Sequence, residues 1–169
     1  MTTYALIRPD NSIDCIKGNV DPNVQTKAGW RWVPVEETPA PAFIAGLETV
    51  SSVRAFSTGK AVLQWTKVRK SLDEQKAAVK AEAQRRIIAL TGQRDLLACM
   101  IKQSNANMRA NELNDKRVSG ETLTAEEETE ATALRNLAGA IKAIRSASNA
   151  VELLDPIPLD YTAASYWPE

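Results

Sequence analysis

The sequence predicts an α+β protein, with a small N-terminal antiparallel β-rich head followed by long α-helices that form a helical hairpin or a coiled-coil bundle. Three observations predict it. Residues 4–69 hold short runs of β-forming residues separated by turn residues. After Ser71 the apolar residues recur every three or four positions. Two helix-start signatures, Ser71 with Glu74 and Thr124 with Glu127, stand where such stretches begin.

Residues 1–36 form the first β unit. "YALI" and "IDCI" flank the turn residues of "RPDNS", and after "KGNVDPN" comes "GWRWVPV". In that last run Trp30, Trp32 and Pro34 fall on one face and Arg31, Val33 and Val35 on the other. Pro34 lacks an amide hydrogen and so predicts an edge strand. Residues 37–70 hold a Pro-rich linker, "EETPAPA" leading into it, and a second β unit. There "LETVSSVRAF" and "AVLQWTKVR" are joined by "STGK", with Gly59 as the hairpin turn.

Residues 71–155 are the helical region. Leu72, Val79, Ala83, Ile87 and Leu90 make one stripe up to Gly92, which either stops or bends the helix. From Asp95 a second segment carries Leu97, Ile101 and Met108 to about Arg117, with Asn105 interrupting that stripe. An amide in a helix seam costs stability unless it is paired, and it penalises wrong registers. Asn105 is therefore the expected buried amide, and a hairpin closing near Gly120 would place it opposite Asn136. Past the connector "VSGETL", Glu126, Glu127, Glu128 and Glu130 suit the positive end of a helix dipole. Leu134, Leu137, Ile141, Ile144, Ser148 and Val151 then form a narrow seam that needs another helix against it, from this chain or from another subunit. The tail, 156–169, has too much proline for regular structure, and Tyr161, Tyr166 and Trp167 are expected to dock on an adjacent chain or back on the sheet.

Composition excludes much familiar chemistry. Lysine plus arginine equals aspartate plus glutamate at 21 each, which leaves no broad field for nucleic acid or an acidic membrane. The chain has no histidine, and Cys15 and Cys99 are far apart, so the usual zinc sets and histidine-based triads are absent and free thiols are expected. No stretch approaches a membrane span or a signal peptide, which predicts synthesis in the cytoplasm as a soluble protein. The basic run 66–86 lacks interleaved aromatics and reads as a solvated face that complements the acidic start of the last helix. "STGKA" lacks the first glycine of a phosphate loop, and Trp30, Trp32 and Trp65 read as core residues of the sheet.

Three pieces resemble small tail-associated proteins of bacteriophages and prophages: "YALI…GWRWVPV", "LQWTKVRKSLDEQKAAVKAEAQRRI", and "KQSNANMRANEL" with "LTAEEETEATALRNLAGAIKAIRSASNAVE". Gln103, Asn105, Arg109, Ile144, Arg145, Ser148 and Asn149 match the pattern of the last piece, while Ile101 and Lys102 stand where a tryptophan is expected. The resemblance implies a non-enzymatic tail, baseplate or tail-fibre component, made in the host cytoplasm and located in the tail region of the virion. Its partners would be other phage structural proteins and copies of itself, a trimer being favoured, without nucleic acid, membrane, metal or cofactor. A fibre-assembly chaperone, a capsid decoration or neck protein, and an enzyme of unusual type are the rival readings.

Overall fold

The structure, a computed structural model, describes residues 2–168. They fall into two compact units, Met1–Lys70 and Ser71–Glu169.

The first unit is a five-stranded sheet: β1 (Thr3–Ile7), β2 (Ile13–Gly18), β3 (Arg31–Glu36), β4 (Glu48–Ser57) and β5 (Lys60–Arg69), in the order β2-β1-β3-β5-β4. The turn from β1 to β2 is held by Asp10, whose carboxylate accepts from the Ser12 amide at 2.9 Å, with Asn11 at φ 64°. Thr58 and Gly59, at φ 47° and 78°, give the β4–β5 hairpin the two left-handed residues of a type I′ turn. The two β units expected from sequence are one sheet, because β3 pairs with β5 in parallel at Val35–Ala61 and Glu36–Val62. Pro34 is thus in a central strand rather than at an edge. It is tolerated because residues 31–34 of β3 pair with β1, and pairing with β5 begins only at Val35.

Ala5, Ile7, Val33 and Ala61 form the core of the sheet, with Ile13, Ile16, Val35 and Phe56 packed around them. The tryptophans are not part of that core. Trp30, Trp32 and Trp65 are all half-buried; Trp30 lies under Arg8 and Lys27, each 5.6 Å from the ring centre, and the Trp65 indole donates to the Thr38 carbonyl at 2.9 Å. A tryptophan has too much surface, and a polar indole, for a core built of alanine and valine.

The second unit holds α1 (Leu72–Thr91), α2 (Leu96–Val118), α3 (Ala125–Glu152) and a short 3₁₀ turn at Ala164–Tyr166. Both expected capping boxes form, at Ser71 with Glu74 and at Thr124 with Glu127, and Asp95 caps α2 by accepting from the Ala98 amide at 2.8 Å. Gly92 stops α1 rather than bending it. Its φ of 64° lets its own amide and that of Gln93 close on the Ala89 and Ile88 carbonyls, which satisfies the helix end.

α2 runs antiparallel to α3, with Gln103 meeting Arg145 at 3.3 Å and Arg109 meeting Glu130 at 2.9 Å. α1 reaches the far end of α3, where Lys80 lies 3.5 Å from Glu152. The α3 seam is satisfied within the chain: Ile141, Ile144, Ser148 and Val151 are buried, and Leu134 and Leu137 are half-buried. Its buried members therefore find their mates within the chain, while Leu134, Leu137 and Ile141 also border a cavity between α2 and α3.

Candidate functional site

α2 carries its larger apolar side chains on its outer face. The side it turns toward its own chain carries Cys99 and Leu113, both buried, with Gln103, Ala106 and Ala110 half-buried between them. The expected packing residues lie opposite. Leu97, Ile101 and Met108 are 68%, 53% and 61% exposed, Met100 beside them is 57% exposed, and Asn105 is exposed as well. Asn105 therefore meets nothing across a seam, and Asn136 is also at the surface. The amide that enters the helix packing is Gln103. It donates to Cys99 Sγ at 3.1 Å and accepts from Arg145 at 3.3 Å.

Cys99 lies where the three helices meet, and its sulfur also accepts from the buried Thr91 hydroxyl at 3.3 Å. Both cysteines are free thiols. Ser148 donates to the Glu152 carboxylate at 3.0 Å, and that carboxylate also faces the Lys80 ammonium at 3.5 Å.

The acidic start of α3 is neutralised by the end of α2 rather than by the basic run 66–86. Arg109 pairs with Glu130 and Glu112, Lys116 with Glu127, and Arg117 with Glu128. Glu127 is held below the usual carboxylate range by the Lys116 ammonium and the Thr124 amide, and the carboxylates around Arg109 raise its pKa. The basic run instead finds partners close by, Lys67 with Glu48 and Arg85 and Arg86 with Glu82.

The aromatic tail docks on α1. Ile157, Tyr161 and Trp167 are buried, and the Trp167 indole donates to the Tyr161 carbonyl at 2.7 Å. Arg86 lies 4.8 Å from the Trp167 ring centre, donates to the Thr162 carbonyl at 2.8 Å, and is fixed from below by Glu82 at 2.7 Å. Tyr166 stays half-exposed, with its hydroxyl 3.4 Å from Asp160.

Two cavities open along one flank of the helices. The first, about 260 Å³, lies between α2 and α3 over Ala106, Ala110 and Ala138. The second, about 430 Å³, lies where α1 joins them, beside Ile88, Met100 and Asn149. Gln103 and Arg145 are walls of both. Of the residues that carry the sequence resemblance, Gln103, Arg145, Ser148 and Asn149 gather here, whereas Asn105 and Arg109 line neither cavity. The sequence pattern marks the α3 wall of this flank through Leu134, Leu137 and Ile141, but not the α2 wall, which is made of Gln103, Ala106, Asn107 and Ala110.

Among the described residues no group of acidic, cysteine or histidine side chains is placed to hold a metal, and no helix is long and apolar enough to cross a membrane. No protein-family model, curated protein or solved structure matches the chain.

Proposed function

We propose that the chain is a non-enzymatic structural protein of a bacteriophage tail, baseplate or tail fibre, which assembles with copies of itself and with neighbouring virion proteins by helix packing. The sequence resemblance supports the phage assignment. One structural observation supports assembly: the outer face of α2 presents Leu97, Met100, Ile101 and Met108, each more than half exposed, while the inner face of the same helix is already covered. Large apolar side chains exposed along one helix face, here broken by Asn105 between Ile101 and Met108, are what an interaction surface presents.

The row replaces the α3 seam as the surface offered to another subunit, with a trimer as the favoured assembly. Two measurements test the reading. Mass spectrometry of purified particles should find the chain as a stoichiometric component; its absence would leave the assembly-chaperone reading in its place. Sedimentation of the purified chain should show self-association that is lost in the Leu97→Glu/Ile101→Glu variant, and a wild-type chain that stays monomeric at high concentration would remove the α2 row from the mechanism.

A further inference from the structure

We propose that the flank of the α2–α3 hairpin bearing Gln103 and Arg145 seats an acidic amphipathic helix from a different polypeptide. The two cavities share those walls and follow each other along the hairpin. From Arg135 to Asn149 on α3 the flank runs about 21 Å, at 1.5 Å per residue. The first cavity has the small Ala106 and Ala110 on its α2 wall, and Ala138 among Leu134, Leu137 and Ile141 on its α3 wall. Small side chains on two antiparallel helices leave a trough into which a third helix can sink its apolar ridge.

Charge says what kind of helix. Arg135, Lys142 and Arg145 stand along the α3 wall, and among the described residues none of the three forms an ion pair. Arg145 is held by the Gln103 amide, and Arg135 by the Ala131 carbonyl and the Thr132 hydroxyl. On α2, by contrast, Arg109, Lys116 and Arg117 are each matched to a carboxylate of α3, and Lys102 donates to the Thr91 carbonyl. A row of unmatched cations beside an apolar trough complements a helix with carboxylates flanking its apolar stripe. A second copy is a poor source of that helix. Its acidic stretch at the start of α3 has Glu127, Glu128 and Glu130 already committed to its own α2.

Of the outer row of α2 only Met100 also borders this surface, so the α3 charge variants and Leu97→Glu/Ile101→Glu test the two proposals separately. The test uses the full chain and a synthetic labelled helix of about 18 residues, long enough to span the flank. The peptide carries leucine at every third and fourth position and glutamate on both sides of that stripe. One control replaces each glutamate with lysine; another keeps the composition and scrambles the order. Fluorescence anisotropy should give saturable, salt-sensitive binding of the acidic helix, with both controls weaker by about tenfold or more. Arg135→Glu/Lys142→Glu/Arg145→Glu should lose about tenfold or more, and the milder Lys142→Gln/Arg145→Gln a smaller part of it, with circular dichroism unchanged in at least the milder variant. Ala138→Trp, which fills the trough, should also weaken binding. Equal binding of the scrambled peptide, full affinity in the charge variants, or no saturable binding up to about 1 mM would overturn the proposal. It would also be overturned if these charge changes abolished self-association, because a second copy would then be the occupant.

Discussion

Arg86 joins three parts of the helical unit at one guanidinium, through Glu82 on its own helix, the Thr162 carbonyl of the tail, and the face of Trp167. Trp167 is 5% exposed, so Trp167→Ala removes a large buried ring and should lower the stability of the unit by about 3 kcal/mol, measured by urea denaturation. Glu82 supplies a pH dependence. The Arg85 guanidinium first, and Arg86 after it, hold the Glu82 pKa below its ordinary value, against the opposing effect of burial. A carboxylate with a depressed folded pKa stabilises the fold above its unfolded pKa of about 4.3, and that stabilisation is lost as the pH falls through the folded value. Wild type should therefore have a higher urea midpoint than Glu82→Gln at pH near 7, and the difference should shrink progressively as the pH is lowered below about 4. A gap that persists in acid would show that Glu82 acts through packing alone.

At the scale of elements, the helix boundaries are the most legible part of the sequence, because a cap needs only a few neighbouring residues to be recognised. Ser71 with Glu74 and Thr124 with Glu127 form the expected boxes, and Gly92 takes the left-handed conformation of a helix stop. Gly92→Ala forces a Cβ into that conformation and should cost about 1 kcal/mol, which thermal unfolding would detect. The α3 seam was legible too, since Ile141, Ile144 and Val151 are buried and carry large aliphatic side chains. α2 was not. Its inner face is Cys99, Gln103, Ala106, Ala110 and Leu113, and its outer face is Leu97, Ile101 and Met108, so a hydrophobicity pattern selects the wrong side. Glutamates at Ile141 and Ile144 would therefore test folding rather than assembly, and loss of helical circular dichroism is expected in that variant. Leu97→Glu/Ile101→Glu sits in water already and should leave the circular dichroism unchanged. The sheet was legible as strands and turns, but its unity was not, because the β3–β5 pairing that creates it spans only two residue pairs.

For the molecule as a whole, the strength of self-association can be bounded from the outer row. Leu97, Met100, Ile101 and Met108 are each about half to two-thirds exposed, and burying what remains is worth roughly 1 kcal/mol per side chain. Four such residues on each of two copies give a gross gain of about 8 kcal/mol, set against the roughly 4–15 kcal/mol lost when two molecules become one. Association through this row alone should therefore be weak, with a dissociation constant of about millimolar or higher, and sedimentation should be run up to about 1 mM to see it. Covering the row more completely, as in a trimer or on an assembled neighbour, would strengthen it.

The stop at Gly92 has one more consequence. Just past it, Arg94 is a 90% exposed side chain beside a backbone outside either helix, a ready point for trypsin to nick the chain. The fragment that ends there keeps α1, while the other keeps α3 and the tail that α1 packs against through Val79, Ala83 and Ile87 and through Arg86 on Trp167. The severed halves should accordingly co-elute from a sizing column and come apart only in denaturant, because α3 splints the cut from the side.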